Sequence, residues 1–121
     1  MNQNDIYGQI KKKRSFLCVG LDVDLEKVPK HILLEDDPIF SFCKSIIDST
    51  SEYAIAYKPN IAFFETYGSK GWKSLEKVSR YLSENYPNIF TIADAKRVDI
   101  GNTASRYAKA FFENLSFDSV T

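Results

Sequence analysis

At 121 residues the chain suits one small domain with a single core, and its 44% hydrophobic and 14% aromatic content excludes a disordered segment. Sixteen acidic side chains balance sixteen Lys and Arg, so no bulk attraction to nucleic acid is expected. One His, two Cys and no Cys-x-x-Cys argue against a His/Cys zinc site. No stretch approaches the ~20 apolar residues that cross a bilayer, and the N-terminus lacks a signal-peptide core, so the chain reads as cytoplasmic with no membrane partner.

In chain order, the first element is a helix ending in Lys11-Lys12-Lys13-Arg14, cations that face the helix dipole and solvent. Phe16 to Leu21 is the first strand, with Phe16, Cys18, Gly20 and Asp22 on one face. His31 falls in a loop. Asp37-Pro38 is an N-cap followed by Pro at the first helical position, and Ile39, Cys43, Ile46 and Ile47 share the face that follows. Cys18 and Cys43 both read as packed thiols rather than a disulfide. Ala54 to Lys58 is the second strand, with Ala54, Ala56, Lys58 and Asn60 on one face. Gly68-Ser69-Lys70-Gly71 lacks Walker spacing and reads as a helix entry. Trp72, Leu75, Val78 and Leu82 form the next helical stripe, with Trp72 a core anchor and Asn85-Tyr86-Pro87 the stop. Ile89 to Ala93 is the third strand. Ala104, Tyr107, Ala108, Phe111, Phe112 and Leu115 line a third helix, and a fourth strand begins at Asp118 to Thr121.

Strand starts recur about every 35 residues, as parallel βα units require. The fold class predicted is α/β, a parallel (β/α)8 TIM-type barrel, because the inward-parity residues at the strand ends are all polar: Asp22, Lys58 with Asn60, and Asp94 with Lys96. A doubly wound sheet would favour a Gly-rich phosphate loop after the first strand, and Gly20-Leu21-Asp22-Val23-Asp24 is not one. A whole barrel takes roughly 250 residues, so residues 1–121 are expected to be the N-terminal half of a single barrel domain.

The segment Asp94-Ala95-Lys96-Arg97-Val98-Asp99-Ile100-Gly101-Asn102-Thr103 carries the chemistry. Phe90, Ile92, Asp94 and Lys96 are expected to point one way on a buried strand, so an acid and a base two residues apart continue the face of two core residues. Such charges are expensive to bury unless they pair or react. The bland alternative is a salt-bridge cluster at a helix start, with Thr103 capping the helix at Ala104.

Asp94-x-Lys96-x-x-Asp99, with Leu21-Asp22-Val23-Asp24, Tyr57-Lys58-Pro59-Asn60 and Phe63-Phe64-Glu65, resembles the orotidine 5′-phosphate decarboxylase family. The run Asp94 to Thr103 is most similar to that family's longer-chain branch, found in many bacteria and in malaria parasites, and departs from it at Val98, where the branch usually carries Gly. The resemblance implies conversion of orotidine 5′-phosphate to UMP and carbon dioxide in pyrimidine synthesis, without metal or organic cofactor. It implies that Lys96 protonates C6, that Asp94 sits beside the substrate carboxylate, and that Lys58 holds Asp94 and the ribose. Asp22 and Asn60 would bind the ribose and ring region. Asp99, with Ile100 and Thr103, would reach the neighbouring subunit's site in a homodimer. The phosphate would be gripped by loops late in the barrel, so this chain alone is expected to turn over slowly or not at all. Two rivals stand: a magnesium-dependent sugar-phosphate enzyme on the same Asp-x-Lys-x-x-Asp frame, and a non-catalytic half-barrel that assembles with a second half.

Overall fold

The computed structural model describes residues Met1–Thr121. Four parallel strands lie in sequential order, β1 (Leu17–Leu21), β2 (Ala54–Pro59), β3 (Phe90–Ala93) and β4 (Ser119–Val120). Helices α1 (Gln3–Lys13), α2 (Pro38–Thr50), α3 (Ile61–Glu65), α4 (Gly68–Asn85) and α5 (Gly101–Ala108) precede or link them. Consecutive parallel neighbours joined by helices are repeated βα units, and every strand end carrying the expected polar residues points the same way.

Local chemistry sets the helix ends. The Asn2 side chain accepts from the Asn4 and Asp5 amides while Asp5 reaches back to the Asn2 amide, a reciprocal cap on α1. Asp37 Oδ1 accepts from the Phe40 amide at 3.1 Å, with Pro38 opening α2 as predicted. Gly68 (φ 58°) opens α4, so the glycine-rich stretch is the helix entry expected.

The core forms where one face of the sheet meets α2 and α4. Ile47, Tyr57, Phe64, Leu75, Val78 and Leu82 are fully buried there. Tyr57 brings a hydroxyl inside, which donates to the Ile47 carbonyl at 2.8 Å and shares a hydrogen bond with Thr50 Oγ1. On β3, Thr91, Ala93 and Ala95 pack inward against the helices, while Phe90, Ile92 and Asp94 lie half-buried on the opposite face. The alternation is the one predicted, but the face leading to Asp94 and Lys96 is the more open of the two. No helix is long and apolar enough to cross a membrane.

Several expectations are corrected. Phe16 precedes β1 and is 86% exposed, and Cys18 is an exposed thiol rather than a packed one because its face of β1 has no helix over it. Lys13 leaves the solvated basic run: its Nζ donates to the Ser51 and Ala54 carbonyls at 2.6 and 2.8 Å, docking the end of α1 where α2 turns into β2. Desolvation there lowers its pKa. The third predicted stripe reaches Leu115 but loses Phe112, and α5 passes into a π-helical turn over Lys109–Asn114. The wider turn keeps Phe111 and Leu115 inside and rotates Phe112 into solvent. Trp72 is half-buried against the core rather than at its centre.

Candidate active site

The C-terminal ends of β1, β2 and β3 converge through the main chain first. The Asp94 amide donates to the Pro59 carbonyl at 3.0 Å and the Ile61 amide to the Asp94 carbonyl at 3.1 Å, so Asn60 and Asp94 form a bridge beyond the two strands. This register brings together side chains 36 residues apart.

The Asp94 carboxylate takes Lys96 Nζ on Oδ1 at 2.6 Å and Lys58 Nζ on Oδ2 at 3.0 Å. Its side chain is 16% exposed, against 35% for Lys58 and 75% for Lys96. Lys58 is the more covered of the two lysines and Lys96 the more open to solvent. The two ammoniums, Lys96 foremost, hold the Asp94 carboxyl down at about 2. The hydrogen bond to Asp94 raises the Lys58 pKa against its own desolvation. At neutral pH this is a carboxylate between two cations, with the Asp22 carboxylate near enough to Lys58 to add to the rise in its pKa.

Beside it, Asn60 Nδ2 donates to Asp22 Oδ2 at 3.1 Å. A cavity of about 260 Å³ opens next to Asp22, lined also by Asp24, Lys27, Val28, Phe42 and Phe63. Five of the residues singled out in the sequence, Asp22, Lys58, Asn60, Asp94 and Lys96, therefore share one face at the strand ends.

Asp99, Ile100 and Thr103 do not join them. Asp99 makes no ion pair and its Oδ1 accepts from the Ile100 amide at 2.8 Å. Ile100 is 86% exposed, and exposed Thr103 lies inside α5, which starts at Gly101, so it caps nothing. The four-membered charged array is thus three-membered within this chain.

Two features had escaped the sequence reading. Thr121 Oγ1 accepts from the Ala95 and Lys96 amides at 3.2 and 3.3 Å and donates to Asp94 Oδ1 at 3.2 Å. Its place at the end of β4, homologous to that of Asp94 on β3, was the available signal. Lys96 itself has φ 55°, in the left-handed region that a residue with a Cβ occupies at a cost of about 1–2 kcal/mol. No composition or spacing signals that. No three His, Cys, Asp or Glu side chains converge on one point.

A sequence model described as the orotidine 5′-phosphate decarboxylase / HUMPS family matches residues 15–121. Over all 121 residues the chain is 64% identical to an orotidine 5′-phosphate decarboxylase of Flavobacterium johnsoniae and 60% identical to one of Phocaeicola vulgatus. It spans 44% of the length of each. Among solved structures, Plasmodium berghei orotidine 5′-monophosphate decarboxylase superposes with a TM-score of 0.80 at 31% identity, covering 97% of this chain and 50% of that one. Leishmania donovani OMP decarboxylase gives 0.76 at 38% identity, covering 95% and 42%. The parallel sheet is accordingly about half of a (β/α)8 barrel, and the chain belongs to the orotidine 5′-phosphate decarboxylase / HUMPS family.

Proposed function

We propose that this chain supplies the reacting groups of an orotidine 5′-phosphate decarboxylase, with Lys96 as proton donor. The observation that carries this reading is the Asp94 carboxylate held between Lys58 and Lys96 at the mouth of the sheet, with Lys96 the outermost. Loss of carbon dioxide leaves an electron pair on the pyrimidine C6 with no conjugated carbonyl to accept it. A pre-positioned ammonium stabilises that carbanion and then protonates it. Asp94 anchors the ammonium through a hydrogen bond and stands where the departing carboxylate meets a like charge. That repulsion is worth about 4 kcal/mol at ~4 Å and an effective dielectric of ~20. The most demanding enzymes supply ~23 kcal/mol or more. The remainder falls to carbanion stabilisation and to binding at groups remote from C6.

In this reading Lys58 fixes Asp94 and the ribose, and Asp22 with Asn60 forms the ribose-binding edge. Asp99, Ile100 and Thr103 face the site of a second subunit. Their exposure in the single chain suits that role. Proton donation by Lys96 calls for no metal or organic cofactor. In the magnesium-dependent rival the carboxylate of this frame faces a cation. Here an ammonium already occupies each oxygen of Asp94, which favours the decarboxylase.

The test joins residues 1–121 to the remainder of the Flavobacterium johnsoniae relative and follows the ultraviolet absorbance of orotidine 5′-phosphate. Decarboxylation insensitive to EDTA, with kcat reduced at least a thousandfold by Lys96→Ala, is the expected result. A Lys96→Ala chimera within tenfold of its parent refutes the assignment of the proton donor. Activity that EDTA abolishes favours the magnesium-dependent reading.

A further inference from the structure

Lys96 is the residue on which the proposed chemistry turns, and it is held in a backbone conformation its side chain disfavours. Such a conformation persists only where the surroundings over-determine it. Thr121 is one restraint, since its hydroxyl takes the Ala95 and Lys96 amides and its main-chain oxygen takes the Arg97 amide at 2.8 Å. The second restraint comes from Arg97. Arg97 Nη1 donates to the Ala95 carbonyl at 2.9 Å, bridging across Lys96, and Nη2 pairs with the Glu65 carboxylate at the end of α3. The guanidinium also stands 6.0 Å from the centre of the Tyr107 ring on α5.

We propose that the Glu65–Arg97 ion pair is a positioning device that holds Lys96 in its left-handed conformation and so aims its ammonium at Asp94 and the reacting carbon. The catalytic purpose rests on the decarboxylase reading, whereas the restraint on Lys96 does not. A solvent-exposed ion pair would fix little, but both partners here are about two-thirds covered, and the guanidinium is tied to a carboxylate and a carbonyl at once. The geometry explains why the pair spans these two elements. Glu65 is carried by the short helix that begins immediately after Asn60, and Arg97 follows Lys96 directly, so the pair fixes the β3 loop against the β2 end that holds Lys58. Neither residue hydrogen-bonds to or pairs with the Asp94 carboxylate, whose partners are Lys58, Lys96 and Thr121.

The test uses NMR on the 121-residue chain and needs no turnover. In the parent, Lys96 shows the backbone coupling and carbon shifts of a left-handed residue, with protected amides at Ala95, Lys96 and Arg97. Arg97→Ala and Glu65→Gln are each expected to abolish the left-handed signature and to speed exchange of these three amides at least tenfold. Exchange at Tyr57 and Leu75 stays within twofold. Arg97→Lys, which keeps the charge facing Glu65, recovers part of the protection. If Arg97→Ala does not fold, the nearly isosteric Glu65→Gln decides alone. An unchanged Lys96 signature in the folded variants overturns the proposal, as does a uniform loss of protection across the core. A chimera without decarboxylase activity beside an intact restraint would refute the reaction and leave the device standing.

Discussion

Replacing Asp94 by Asn removes the charge that both lysines grip while keeping the shape of the side chain. Holding the carboxyl at about 2 rather than near the ~3.9 of an unfolded chain corresponds to at most about 2.5 kcal/mol of folded-state stabilisation. The two ammoniums are 35% and 75% exposed, so solvent screens the interaction and about 1 kcal/mol is the expected loss at pH 7. The sign follows from the direction of the shift. A carboxyl whose folded pKa is depressed contributes fully above its unfolded value and loses that contribution as pH falls through the folded one. Urea unfolding of the parent and Asp94→Asn chains at pH 7, 4, 3 and 2 should therefore show the parent ahead by about 1 kcal/mol at pH 7. The gap should narrow below pH 4 and close near pH 2. A gap that persists undiminished at pH 2, or no gap at pH 7, refutes the electrostatic account of the cluster.

Gly71→Ala should destabilise the chain by about 3 kcal/mol in urea, although helix propensity alone favours Ala by about 1 kcal/mol, because the new methyl would overlap the Phe64 carbonyl where α3 meets α4. A neutral or stabilising effect would mean that the two helices can part freely. Tyr57→Phe deletes a buried hydroxyl that serves both Ile47 and Thr50, and should lower Tm by about 5 °C, corresponding to ~1–1.5 kcal/mol, in a thermal melt. In a thiol titration of the native chain at pH 8, Cys18 should react and Cys43 should not, because burial pushes the Cys43 thiol up to about 12. Two equally reactive thiols would contradict the burial of α2 against the sheet.

Much of the architecture is written locally. The Asp37 cap, the Gly68 entry and the alternation along β3 depend on neighbours a few residues away, and each was legible in the chain. The convergence of Asp22, Lys58, Asn60, Asp94 and Lys96 followed from parity once the strands were taken as parallel, because equal parity at successive strand ends puts side chains on one face. The π-helical turn was not legible, since apolar residues at three-four spacing fit an ordinary helix as well, and only packing of Phe111 and Phe117 shows which residues go inside. Cys18 went astray for a related reason: strand periodicity reveals which residues share a face, but not whether that face is covered.

The sequence by itself determined the βα order, the parity of the strand ends and the identity of the charged groups, because these rest on backbone periodicity and on residue chemistry. Tertiary structure alone decided that Lys96 adopts a left-handed backbone, that Thr121 and the Glu65–Arg97 pair surround it, and that Asp99 stands apart from the cluster. Those contacts join residues 25 to 32 positions apart through side chains whose meeting depends on strand register and loop path. No local pattern specifies that meeting, and only the closed three-dimensional arrangement makes a disfavoured backbone at Lys96 the stable one.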